Sequence, residues 1–174
     1  EGELDELMSD LALHRLDVVL TDRPAPFGGN LKVFSTRLGN FETGLFASPQ
    51  WHQRYAAGFP QSLEAAPLLL PTRHNALRGR IDRWLESTGI RPKIVGEFED
   101  SALLNTFGRG GLGIFPAPLA LADEVASQFE AMPLGAMQGV SEQIYAISNE
   151  RRIHHPAIEV LCAAVPQSTS EPEV

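Results

Sequence analysis

The chain has one cysteine, Cys162, in 174 residues, which excludes an internal disulfide and any zinc site built from several thiolates. A lone cysteine of this kind reads as a small, buried apolar residue. No run of about eighteen apolar residues occurs, so no segment is long enough for a membrane-spanning helix. Basic residues are scarce: 14 Lys and Arg stand against 22 Asp and Glu, for a net charge of -8. That balance argues against this segment gripping nucleic acid, whose phosphates need a basic face. The opening EGELDELMSD has neither a leading methionine nor a signal peptide, and the expectation is a cytoplasmic chain that begins inside a longer protein.

Catalytic signatures are missing as well. The five histidines (His14, His52, His74, His154, His155) form no i, i+4 pair on a predicted helix. His154 and His155 read as the close of a helix start rather than as metal ligands. There is no GxSxG elbow to make Ser101 a nucleophile. The expected function is therefore not that of an enzyme, and no cofactor is expected. GRGGLG at 108–113 imitates a dinucleotide fingerprint, but that fingerprint lies between a strand and a following helix. Here the helix comes first and the strand second, so the glycines read as a helix stop.

What is present is an ordinary globular balance, 43% apolar and 21% charged, enough for one core or two small lobes. The organising stretch is 94–118, read as strand, helix, glycine turn and strand. Ile94, Val95 and Phe98 form the first strand, and Asp100 or Ser101 caps a helix with Leu103, Leu104 and Phe107 on one face. Leu112 to Phe115 resumes as a buried strand that Pro116 and Pro118 stop. Such a unit belongs in a mostly parallel sheet with helices on its faces.

Elsewhere the pattern predicts a helix over 3–13, with Leu4, Leu7, Met8 and Leu11 as its apolar stripe, feeding a buried strand at 16–20. Residues 24–30 (PAPFGGN) form a breaker cluster. Two β-leaning runs, 31–36 and 41–47, precede a short helix near 50–56 and an apolar strand at 67–70. Residues 74–88 form the clearest helix, with Leu77, Ile81, Trp84 and Leu85 on one face and Arg78, Arg80, Asp82, Arg83 and Glu86 on the other. Thr72 or Asn75 caps it and Gly89 stops it. A helix over 118–126, strands at 129–134 and 143–148, and a last helix begun at Pro156 and containing Cys162 complete the chain.

Three strand ends carry small polar or charged residues: Thr21, Asp22 and Arg23; Thr72, Arg73, His74 and Asn75; and Asp100 with Ser101. The last two open helices. Backbone N–H groups at helix starts point at an anion, and an arginine can clamp a carboxylate. Helix capping accounts for any one of these residues; three such ends suggest a small-ligand cleft. A cation is the alternative ligand, since Asp22, Glu97, Glu99 and Asp100 offer hard oxygen donors.

The order LHRLDVVLTDRP, RHNALRGRIDRWLESTG, VGEFEDSALLNTFG, GIFPAP and HHPAIEVLC resembles the effector-binding domain of LysR-type transcriptional regulators. GEFED followed by ALL, together with HPAIEVLC, is most similar to the NhaR group, which regulates sodium/proton antiporter genes. The resemblance covers most of 1–165. It implies an α/β fold of two lobes like type 2 periplasmic binding proteins, with the first lobe incomplete at its N-terminus. The implied division is 1–38 with 138–166 as lobe I, 39–137 as lobe II, and a disordered tail at 167–174. It also implies an effector between the lobes, self-association as a dimer or tetramer, and DNA binding through an N-terminal domain outside this chain. Carried over by position, Thr21, Asp22 and Arg23 face the effector from one lobe. Thr72, Arg73, His74, Asp100 and Ser101 face it from the other, with Phe115 and Pro116 as its floor. The sodium response of the group favours a cation at Asp22 and Asp100, whereas the residues alone favour an anion at Arg73 and the helix starts. A solute-binding protein for small anions shares the fold and is the rival reading.

Overall fold

The computed structural model describes residues 2–25, 32–149 and Val160. Most of the breaker cluster, the expected last helix with His154, His155 and Cys162, and the expected tail lie outside the described residues. The chain divides into two compact units, Glu1–Asn40 with Gln143–Val174, and Phe41–Glu142. Each is considered by itself.

The first unit opens with α1 (Leu4–Ala12), which has Asp5 and Glu6 in its first turn, where carboxylates favour the positive end of the helix dipole. Met8 and Leu11 are buried and pack with Val19 and Ile147, flanked by Leu4, Leu7 and Leu16. The expected strand at 16–20 shortens to β1 (Val19–Thr21), of which only Val19 is buried.

The second unit is built around β3 (Pro67–Pro71), four of whose five residues are buried. It pairs in parallel with β4 (Lys93–Phe98), and Leu68 makes a parallel bridge to Ile114 on its other side. Between these strands run α3 (Ala76–Thr88) and α4 (Ser101–Arg109). In α3, Asn75 caps the start by accepting from the Leu77 N–H at 2.8 Å, and Gly89 ends it in the left-handed region at φ 71°. Its buried Leu77, Ile81, Trp84 and Leu85 face a core with Leu63, Leu68, Leu70 and Met137. Each such side chain contributes about 1.5–3 kcal/mol by leaving water. A second core gathers Phe46, Leu69, Leu104, Phe115, Ala117 and Val125. In α4 only one of the three expected apolar positions, Leu104, is buried; Leu103 and Phe107 are 49% and 44% exposed.

Two long strands, β2 (Phe34–Ala47) and β6 (Met132–Ser148), carry the chain out of the first unit and back. Each joins two runs expected to be separate. Polar and glycine residues interrupt the hydrophobic pattern, as at 37–40 and 135–139, but backbone pairing tolerates them. Between α4 and β6 lie β5 (Phe115–Pro118) and α5 (Ala122–Phe129), and short α2 (Pro49–Tyr55) follows β2.

The expectation of mostly parallel sheets is corrected. The four-stranded sheet has the order β1-β6-β2-β5, with β1 antiparallel to β6 and β5 antiparallel to β2. Among the described residues, β3 pairs in parallel with β4 and with the Ile114 bridge, where a single helix links each strand to the next and forces a parallel return. Pro116 also lies inside a strand instead of stopping one, whereas Pro118 is the last residue of that strand. They sit two residues apart on the edge strand β5, so both missing N–H groups fall on one side of it, where no ladder bond is lost.

Candidate functional site

The carboxyl ends of β3 and β4 lie side by side in the second unit, with Pro71 opposite Phe98. The Thr72 N–H donates to the Phe98 carbonyl at 2.9 Å, and the Asn75 N–H donates to the Thr72 carbonyl at 3.1 Å. Residues 72–75 are thereby fixed as a turn that leads directly into α3. Beside it, Asp100 caps α4 by accepting from the Leu103 N–H at 2.6 Å. Two helix starts therefore rise from neighbouring strand ends, the place where open α/β sheets bind ligands. Thr72 is half-buried, and Arg73, His74, Asp100 and Ser101 are exposed around it. These five residues come together.

The other sequence-selected residues are placed differently. Thr21, Asp22 and Arg23 belong to the first unit, Thr21 as the last residue of β1 and the other two just after it. There Asp22 accepts from the Arg23 Nε–H at 2.8 Å and from the Thr21 hydroxyl at 3.5 Å. The hydrogen bond to Asp22 raises the Arg23 pKa, outweighing the loss of hydration. Phe115 is fully buried, with its ring stacked on Phe46 at a centroid separation of 6.2 Å, and Pro116 is buried beside it. Both are core groups.

Arg78, which the helical pattern places on the polar face of α3, is instead 2% exposed. It donates to Asp82 at 2.9 Å, to the Pro71 carbonyl at 2.9 Å and to Glu97. Burial works against its charge, but the hydrogen bonds it donates to Glu97 and Asp82 prevail and its pKa is raised. A raised arginine pKa adds stability that is complete below the unfolded-state value and is lost only in strong alkali. One signal in the sequence marks this residue: Arg78 stands three residues before Ile81 and seven before Leu85, on the margin of the apolar stripe.

For a cation, the donor set is sparse. Among the described residues no group of three His, Cys, Asp or Glu side chains is placed to hold a metal ion. Asp22 and Asp100 belong to different units, Glu97 is paired with Arg78, and Asp100 caps a helix. The cap has a measurable consequence. Asp100→Ala is expected to lower the unfolding free energy by about 1 kcal/mol, and Asp100→Asn, which caps equally well, by much less. Equal losses in urea unfolding of the two variants would show that the carboxylate charge, not the cap, sets the effect.

Residues 1–169 match the family described as the LysR substrate binding domain. The transcriptional activator protein NhaR of Escherichia coli (strain K12) is 31% identical over 162 residues, 93% of this chain and 53% of that protein. The chain thus spans about half the length of the curated relatives it matches. Among solved structures, the apo regulatory domain of HypT from Salmonella typhimurium superposes with a TM-score of 0.72 at 16% identity. The match covers 94% of this chain and 80% of that one. The CcmR regulatory domain of Synechocystis PCC6803, in complex with 2-PG, gives a TM-score of 0.66 at 11% identity, over 92% of this chain and 79% of that one. At such identities these structures speak for the fold alone.

Proposed function

The chain belongs to the LysR substrate-binding-domain family, and from that premise we propose that it is the effector-sensing and self-associating part of a bacterial transcription regulator. In this reading the two units are the two regulatory lobes, Glu1–Asn40 with Gln143–Val174 as lobe I and Phe41–Glu142 as lobe II. A small effector bound by lobe II would bias the closure of the two lobes, and packing of subunits as dimers or tetramers would pass that bias to DNA-binding heads outside the chain. Members of the family are regulators rather than enzymes, which agrees with the lack of catalytic motifs.

The observation that carries the reading is the tie between Thr72 and Phe98, which sets two polar helix starts at adjacent strand ends. Those starts, with Arg73, suit a small carboxylate or phosphate. A second ligand, a sodium ion engaging Asp22 or Asp100, and with it sodium- and pH-responsive control of antiporter genes, rests on the resemblance of the sequence motifs to the NhaR group. A cytoplasmic location follows from the same reading. No helix among the described residues is long and apolar enough to cross a membrane.

Thermal unfolding separates the two ligands. A sodium site predicts that NaCl stabilises the protein more than KCl at equal ionic strength, with the difference lost in Asp100→Ala. An anion site predicts stabilisation by small carboxylates in either salt, lost in Arg73→Ala. Equal melting in both salts, with no response to a panel of carboxylates and phosphates, would count against effector sensing by this segment. The net charge of -8 further predicts that the segment itself binds duplex DNA weakly or not at all; tight operator binding by it would overturn the division of labour.

A further inference from the structure

We propose that Arg78 is the positioning residue of the strand-end site, a buried guanidinium that fixes where the two helix starts stand relative to each other. The inference rests on the reading of those strand ends as the effector site, but its test does not need an effector.

The geometry has three parts. The Arg78 guanidinium donates to the Pro71 carbonyl, the last residue of β3 and the neighbour of Thr72. It donates to Glu97, one residue before the end of β4 and three before Asp100. It also donates to Asp82 one turn along its own helix. One side chain thus joins both strand ends to α3, immediately behind the residues that would meet a ligand. The planar fork of an arginine holds several acceptors at fixed angles, which a lysine ammonium cannot do. Loosening this joint frees Thr72, Arg73 and His74 to move relative to Asp100 and Ser101 while leaving the far ends of the same strands held. Away from the joint, the Leu69 N–H at the middle of β3 donates to the Ile114 carbonyl at 2.7 Å, and the Lys93 N–H at the start of β4 donates to the Ala66 carbonyl at 2.8 Å. Neither bond involves Arg78.

This asymmetry makes the role measurable by amide hydrogen exchange, because local opening and global unfolding leave different patterns. In Arg78→Met the Thr72 and Asn75 amides are expected to exchange at least tenfold faster, relative to the Leu69 and Lys93 amides of the same protein, than they do in the unsubstituted chain. Arg78→Lys should restore only part of the protection. Glu97→Gln should reproduce the pattern in weaker form. Glu97 is 43% exposed and leaves no buried charge alone, so this variant keeps the test alive if Arg78→Met does not fold. A uniform rise at all four amides would reduce Arg78 to a general stabiliser, and unchanged exchange at Thr72 in Glu97→Gln would likewise overturn the proposal. Failure of every effector screen would leave these outcomes untouched, so the joint and the ligand site can fail separately.

Discussion

Gly108→Ala is expected to lower the unfolding free energy by about 2 kcal/mol, whereas Gly79→Ala is expected to raise it by up to about 1 kcal/mol. Both glycines lie inside helices, and by propensity alone each costs about 1 kcal/mol relative to alanine. Space separates them. A Cβ on Gly79 meets no atom within 4 Å. A Cβ on Gly108 would lie 2.1 Å from Phe115 Cδ1 and 2.5 Å from Cε1, far inside van der Waals contact. The Phe115 ring cannot swing aside, because it is fully buried and stacked on Phe46. Overpacking of that kind costs about 1–3 kcal/mol or more and exceeds the propensity gain. Chemical denaturation of the two variants tests the pair, and Phe115→Leu combined with Gly108→Ala tests the cause. If the clash is responsible, the double substitution should be less destabilising than the sum of the single ones. A Gly108→Ala protein as stable as the parent would mean that α4 can slide away from β5.

Leu69→Ala is expected to cost more, about 3–5 kcal/mol, towards the upper end of what buried leucines lose. Leu69 is fully buried at the middle of β3, opposite Gly96 of β4. Ideal Cβ atoms on Gly96 and Gly113 would each come within 3.2 Å of its side chain. Two glycines on the flanking segments thus make the room that Leu69 fills. With the leucine gone, neither flank has a side chain to collapse into the space, and the cavity stays open. The parallel pairing itself forbids the backbones from closing, since ladder bonds fix their spacing. Equilibrium urea unfolding measures the loss directly. A cost near 1 kcal/mol would show that the second core relaxes around the site, through Leu104 or Val125.

Features governed by neighbours along the chain were legible before any coordinates. The stop of α3 at Gly89, the choice of Thr72 or Asn75 as its cap and of Asp100 or Ser101 as that of α4, and the apolar stripes of α1 and α3 all follow from contacts within one or two helical turns; the structure selects Asn75 and Asp100. The candidate site was partly legible for the same reason. Thr72 to His74 and Asp100 with Ser101 announce themselves as polar residues at the junction of a strand and a helix.

Tertiary structure alone decided the rest, because the deciding partner lay far along the chain. Pro116 looks like a strand breaker until β5 is found on a sheet edge against β2, some seventy residues earlier. The run of β6 through Gly135 and Gly139 depends on ladder bonds that no local pattern encodes. Gly108 reads as part of a helix stop, yet it is glycine because Phe115 occupies the space beside it. Arg78 reads as one more charge on a polar face, since its i, i+4 partner Asp82 is visible in the sequence and its other two acceptors, Pro71 and Glu97, are not. Local periodicity and capping chemistry determined which segments are helices. Where strands pair and which charges are buried depend on the assembled unit, because both are settled by contacts the chain makes only after it has closed on itself.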